Sequence, residues 1–107
     1  MHTVKALLSE KEKKLVNTVM LAQDYDHVVD FVSDAIKNYS HLAITQDDIL
    51  AAKRPLREVD GIQVNARLDE SVYDKFRVIQ ARENLNQRQV TLVLIKKAVE
   101  IEGFRWK

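Results

Sequence analysis

Three polar side chains alternate with apolar residues between positions 62 and 68. Gln63, Asn65 and Arg67 are spaced two residues apart, and in a β-strand residues with that spacing point to the same face. Glutamine and asparagine side chains can form paired hydrogen bonds with adenine, and arginine can form them with guanine. This segment therefore predicts a strand whose polar face can contact base edges in the major groove of DNA.

The same pattern occurs earlier in the chain, at an offset of sixty residues. Residues 4–10 (VKALLSE) match residues 64–70 (VNARLDE) at four of seven positions. Apolar residues further along repeat in the same order, provided that the second copy has three more turn residues between its helices. These pairs are Val16 with Phe76, Val19 with Ile79, Phe31 and Val32 with Leu94 and Ile95, and Ala35 and Ile36 with Ala98 and Val99. The shared order indicates an internal duplication.

Each copy predicts one strand followed by two helices. Ser9 with Glu12 three residues later is typical of a capping box, and Asp69 can cap the corresponding helix of the second copy. The last helix could also be a buried strand, because residues 89–95 are rich in β-branched side chains. Continuation of the pattern to residue 100 and a stop at Gly103 favour a helix.

The duplication divides the chain into three parts: a first unit (1–38), a linker (39–61) and a second unit (62–107). In the linker, Thr45 followed by Asp48 predicts a short helix that ends before Pro55, and Gly61 permits a turn into the second strand. A lone strand has two unpaired edges, so the two strands are expected to pair antiparallel. High effective concentration favours pairing within one chain, and the alternative is a domain-swapped dimer in which the strands of two chains pair. The expected fold is α+β, mostly α, with a two-stranded ribbon over a core of four helices.

The first strand has a different outward face. Its outward residues would be Thr3, Lys5 and Leu7. Lys5 can contact a guanine or a phosphate, and Leu7 can contact a thymine methyl group, so the first strand is expected to read bases less well than the second. The ribbon would then be only pseudo-symmetric, and its DNA half-site is expected to be asymmetric.

The strand at residues 62–68, followed by an acidic helix start, resembles the ribbon-helix-helix regulators of the Arc, MetJ and CopG type. The resemblance covers residues 62–101 well and residues 3–38 more weakly, and some conjugative-plasmid regulators and relaxosome accessory proteins are similar in carrying two such units. It implies base reading by Gln63, Asn65 and Arg67. The first strand departs from the family pattern, and Thr3 and Lys5 on its outward face are expected to add weaker base contacts. It also implies that the start of the last helix binds a DNA phosphate through Asn86, Gln87 and Arg88.

Composition argues against several other classes of function. There is no cysteine, and the three histidines lack the spacing of a zinc site. The net charge of +1 does not by itself indicate a nucleic-acid partner. The pairs Asp24/Asp26 and Asp47/Asp48 are typical of helix caps and turns, and the aromatic residues Tyr73, Phe104 and Trp106 are expected to cover the core. We expect no enzyme activity, metal, cofactor or small-molecule ligand, and, without a signal peptide or membrane span, a cytoplasmic protein.

The sequence thus predicts a protein that binds a double-stranded DNA operator and self-associates on it. It would act as a transcriptional repressor or relaxosome accessory protein of a plasmid or another mobile element. Two alternatives remain open at this point. One is an antitoxin with a ribbon-helix-helix head, and the other is a helical protein-interaction module whose ribbon serves only as a dimer seam.

Overall fold

A computed structural model of the chain describes residues 1–106, except for the side chain of Glu58. Lys107, the last residue of the predicted second unit, lies outside the described residues. The elements in chain order are β1 (His2–Leu8), α1 (Glu10–Ala22), α2 (Val28–Tyr39), α3 (Gln46–Ala52), a 3-10 turn (Glu58–Asp60), β2 (Ile62–Leu68), α4 (Glu70–Glu83) and α5 (Gln87–Ile101). The fold is α+β and mostly helical, as predicted. In the described residues α2 packs against β2, α5 packs against β1, and these two helices pack against each other.

The two strands β1 and β2 form a ribbon, which confirms the predicted antiparallel pairing. The register runs from His2 opposite Leu68 to Leu8 opposite Ile62, with Lys5 opposite Asn65 at its centre. That central pair is separated by sixty residues, which is also the offset of the sequence duplication. One half of the ribbon is therefore related to the other by an approximate twofold axis.

One face of the ribbon is sealed against the helices. Six apolar side chains on this face are at most 2% exposed: Val4, Ala6, Leu8, Val64, Ala66 and Leu68. At about 25 cal/mol per Å² of buried apolar surface, such a face contributes several kcal/mol to folding. It also forces the alternate residues outward, because successive side chains of a strand point to opposite faces.

The predicted helix starts are present. Ser9 and Glu12 form a capping box at α1, and the Asp69 side chain accepts a hydrogen bond from the Val72 N–H at α4. α5 is one continuous helix, so a buried strand at residues 89–95 is wrong. The β-branched residues of α5 are buried because β1, α2 and α3 cover this helix. Their number therefore reflects burial of a helix and does not indicate a strand.

The turn lengths differ from the sequence alignment. Five residues (23–27) separate α1 from α2, but only three (84–86) separate α4 from α5, so the predicted longer turn in the second copy is wrong. With the helix starts aligned, Phe31 corresponds to Val90 rather than Leu94. Residues four apart lie on the same face of a helix, so the apolar pattern fits either alignment.

Gly61 has a different role from the one predicted. Its backbone does not adopt a left-handed conformation; instead, a Cβ atom at this position would lie 3.0 Å from the Leu7 Cβ. Glycine here allows close approach of the linker to β1, because a side chain at this position would need Leu7 to shift by a few tenths of an ångström. Among the described residues, the left-handed positions are Asp24 and Asn84 in the two interhelical turns and Gly103 after α5.

The linker helix α3 forms as predicted, and a buried charge fixes it to α5. Thr45 and Asp48 form a capping box, and the helix ends before Pro55. Asp48 is only 2% exposed, and its two carboxylate oxygens accept hydrogen bonds from Lys96 Nζ at 2.7 Å and Lys97 Nζ at 2.8 Å. Burial alone would raise the pKa of Asp48, but the two ammonium groups outweigh it and hold that pKa well below its usual range.

Arg54 connects the linker to the first strand. Its guanidinium donates to the Leu7 carbonyl oxygen at 2.9 Å and forms an ion pair with the buried carboxylate of Glu12. The contact spans more than forty residues of sequence. The linker is therefore packed onto the domain and is not a loose connection.

The aromatic residues cover the core, as predicted. Trp106 is buried, and Tyr73 and Phe104 are half-buried against the core cluster. Within the described residues, no helix is both long enough and apolar enough to cross a membrane.

A hydrogen bond between Tyr25 and Asp34 predicts a loss of stability at alkaline pH. The Tyr25 hydroxyl donates to Asp34 Oδ2 at 2.6 Å, and this bond, with burial and the negative charge of Asp34, raises the pKa of Tyr25 to about 12. The unfolded tyrosine titrates near 10, so the contribution is complete below pH 10 and is lost as the pH rises through 12. In urea denaturation we expect Tyr25→Phe to cost about 1–2 kcal/mol at pH 8 and little at pH 12. A difference between the two proteins that is constant across this range would contradict the assignment.

Candidate nucleic-acid interface

The outward face of the ribbon carries six side chains in three cross-strand pairs. Thr3 lies opposite Arg67, Lys5 opposite Asn65, and Leu7 opposite Gln63. Thr3, Lys5, Gln63 and Arg67 are exposed, whereas Leu7 and Asn65 are half-buried. All five residues predicted to read bases therefore lie on one accessible surface, the outer ribbon face.

Hydrogen bonding and charge define what this face can do. Gln63 Nε2 donates to Asn65 Oδ1 at 3.2 Å, so the two amide groups lie side by side along β2. In the part of the chain that the structure describes, neither Lys5 nor Arg67 forms an ion pair. The face thus presents two cations and two amides, which are the groups that bind guanine and adenine edges.

The backbone beneath Arg67 is held in place from the side. The Arg67 N–H donates to Ser33 Oγ at 2.9 Å, and Ser33 Oγ in turn donates to the Val29 carbonyl oxygen at 2.6 Å. A side chain from α2 thus satisfies a donor on the outer edge of β2, where no further strand is available. This contact could not be predicted from the sequence, because Ser33 has the spacing of an ordinary helix surface residue.

The start of α5 borders one end of the ribbon. Asn86 and Gln89 form a capping box with two bonds of 2.9 Å, and no acidic residue lies in the first helical turn. A pocket of about 160 Å³ separates this helix start from Leu7 and Arg54. The predicted phosphate residues Asn86, Gln87 and Arg88 therefore lie next to the Leu7–Gln63 end of the outer ribbon face.

The equivalent helix start in the first copy has the opposite charge. α2 begins after His27, which makes no side-chain cap bond, and Asp30 lies in its first turn. Asp24 and Asp26 precede it and are exposed. Since α2 packs on β2 through the Ser33–Arg67 contact, this acidic helix start flanks the other end of the ribbon. The two ends of the ribbon therefore differ in electrostatic character.

No protein-family model, curated protein or solved structure matches the chain. The geometry and charge of the ribbon are therefore the basis for a functional conclusion.

The histidines do not gather into a site. The His2 ring stacks on Tyr73 at 3.8 Å and its Nε2 lies 2.5 Å from Glu70 Oε2, which fixes the start of β1 to α4. In residues 1–106, with the Glu58 side chain set aside, no three histidine, aspartate or glutamate side chains group as metal ligands would.

Proposed function

We propose that this chain is a sequence-specific double-stranded DNA-binding protein that inserts its two-stranded ribbon into the major groove. Such proteins act as transcriptional repressors or as relaxosome accessory proteins of plasmids and other mobile elements. One observation carries the proposal: Gln63, Asn65 and Arg67, with Lys5 and Thr3, share one accessible ribbon face whose other side is sealed on the core. Two strands about 4.8 Å apart, with their side chains, fit a groove about 12 Å wide.

The proposal includes the interpretation of the chain as two ribbon-helix-helix units. Each half has the order strand, helix, helix, and the ribbon register is symmetric about the Lys5–Asn65 pair. In this interpretation α1, α2, α4 and α5 are the four helices beneath a ribbon that single-unit relatives would need two chains to build. Residues 39–61 then form an ordered linker that joins the two units in one chain, whereas single-unit relatives have two separate subunits.

The contacts to the DNA backbone are proposed to be one-sided. At the α5 end, backbone N–H groups of a helix start lie beside Arg88 and suit a phosphate. At the α2 end, Asp24, Asp26 and Asp30 would repel one. One chain then binds in a fixed orientation on an asymmetric half-site, and a palindromic operator would require two chains.

Selection from a pool of random duplexes tests the proposal. The full chain is expected to enrich one short asymmetric motif, and fluorescence anisotropy on that duplex should give log affinity that falls linearly with log salt. Sedimentation of the complex should show one 12.4 kDa chain per half-site. A duplex of the same composition in shuffled order serves as the control, and we expect it to bind about 10³-fold or more weakly.

Two outcomes would count against the proposal in different ways. Failure to enrich any motif, with salt-independent or undetectable binding, would exclude DNA as the partner and leave the ribbon as a structural seam. Enrichment of a palindrome bound by a single chain would keep DNA binding but contradict the one-sided backbone contacts.

A further inference from the structure

A second surface of the molecule has features suited to a binding partner and is not part of the outer ribbon face. It is a groove of about 260 Å³ between the C-terminal part of α2 and the outer side of α4. Lys37 in α2 and His41 just after α2 line one side of the groove. Lys75, Val78 and Arg82 in α4 line the other side. We call it the basic groove.

The positive charge of the basic groove is only partly compensated. Lys37 and Lys75 are exposed, and neither forms an ion pair with any residue that the structure describes. Arg82 pairs with its neighbour Glu83 at 2.8 Å. Among the described residues, no acidic side chain lines the groove itself. Its potential therefore attracts an anionic group.

The same groove has an apolar surface between its cations. Lys75, Val78 and Arg82 follow a helical spacing of three and four residues, so they form one stripe along α4. Val78 is 60% exposed, and beside it the buried Ile79 also lines the groove. A partner that places an apolar side chain on Val78 and carboxylates on either side would satisfy both the apolar and the charged parts of the stripe.

The size and chemistry of the groove select among possible occupants. Its volume of about 260 Å³ is below the 300–1,000 Å³ typical of small-molecule sites, but it accommodates one apolar side chain. DNA phosphates would pair with the cations but would gain nothing from an exposed valine. In addition, none of the outer ribbon residues lines the groove.

We propose that the basic groove docks an acidic amphipathic segment of another protein. One apolar side chain of the segment lies against Val78 and Ile79, and flanking carboxylates pair with Lys37 on one side and with Lys75 and Arg82 on the other. Since the groove and the outer ribbon face share no residue, this inference goes beyond the proposed DNA binding and can hold or fail independently of it. A chain engaged through the ribbon would still present the groove to such a partner.

The test is an NMR titration of the isotopically labelled full chain with a short synthetic helical peptide. The peptide carries one central leucine, with glutamates three and four residues before and after it, and has capped ends. Amide shifts are expected at residues 37–41 and 75–82 and not on the outer ribbon face. Lys75→Glu should weaken peptide binding about tenfold or more, because it reverses a charge that the glutamates contact.

Matched controls separate docking from nonspecific charge attraction. Lys11→Glu makes the same change of net charge at an exposed position of α1 and should leave binding within about twofold. Replacing the peptide leucine with asparagine should remove most of the affinity. Equal losses for Lys11→Glu and Lys75→Glu, full binding by the asparagine peptide, or a random duplex that shifts the same amides as strongly would each overturn the proposal.

Discussion

Replacing Asp48 with alanine is expected to lower the free energy of unfolding by about 3–5 kcal/mol. The substitution leaves Lys96, itself only 7% exposed, without the nearer of its two carboxylate partners, and it removes the partner of Lys97. Removing one member of a buried ion pair is costly because the remaining charge keeps its desolvation penalty. The capping bond that the Thr45 N–H donates to Asp48 Oδ2, at 2.9 Å, is lost as well. Chemical denaturation at pH 7, followed by Trp106 fluorescence, measures the change.

The neighbouring Asp47 provides the matched control. It lies in the same first turn of α3 but is exposed, so Asp47→Ala is expected to change stability by no more than about 0.5 kcal/mol. The double variant Asp48→Leu/Lys96→Met should recover part of the loss, because apolar residues can replace a buried pair without the desolvation cost. Equal effects of Asp47→Ala and Asp48→Ala would show that the buried ion pairs and the capping bond of Asp48 add nothing beyond the effect of a carboxylate in the first turn of α3.

The Asp48 carboxylate is also expected to make the free energy of unfolding fall at acidic pH. The folded pKa of Asp48 is lowered, whereas an unfolded aspartate titrates near 3.9. Its contribution is therefore complete above about pH 4 and is lost as the pH falls further toward the folded pKa. The stability difference between the wild-type protein and Asp48→Asn should shrink below pH 4.

Replacing Arg67 with alanine is expected to weaken binding to the selected DNA motif by about 1–3 kcal/mol, which is roughly 5- to 150-fold. Arg67 is exposed at one end of the outer ribbon face, with Thr3 opposite. It forms no ion pair within the described structure, so no carboxylate competes with a base for its guanidinium. Its backbone bond to Ser33 comes from the N–H group and survives the substitution, so the fold should be retained. Binding to shuffled DNA should change much less, because phosphate contacts do not depend on base order.

Arg105→Ala removes an equal charge far from the ribbon and serves as the control. The residue follows the C-terminal end of α5, and the fifteen residues of this helix place that end about 20 Å from the helix start beside Leu7. It should leave specific binding almost unchanged. If Arg67→Ala weakened specific and shuffled DNA equally, Arg67 would be a phosphate contact and the base-reading role would have to be withdrawn.

Local patterns in the sequence determined the elements of the fold and the composition of the outer ribbon face. Alternation of apolar and polar residues gave both strands, and it also placed Gln63, Asn65 and Arg67 on one side because side chains of a strand alternate between two faces. Ser9, Thr45 and Asp69 marked helix starts, since capping depends on residues only three apart. These features are short-range and can be read without knowledge of the partner elements.

The tertiary structure decided everything that depends on contacts between distant segments. Asp48 has the sequence pattern of a surface cap, and only the docking of α3 on α5 makes it a buried partner of Lys96 and Lys97. The apolar spacing allowed two alignments of α2 with α5 that differ by one helical turn. The helix starts in the structure show which of the two is correct. The opposite charge at the two ends of the ribbon and the basic groove likewise arise from residues far apart in the chain. No local pattern specifies them, because their energies depend on which elements pack together.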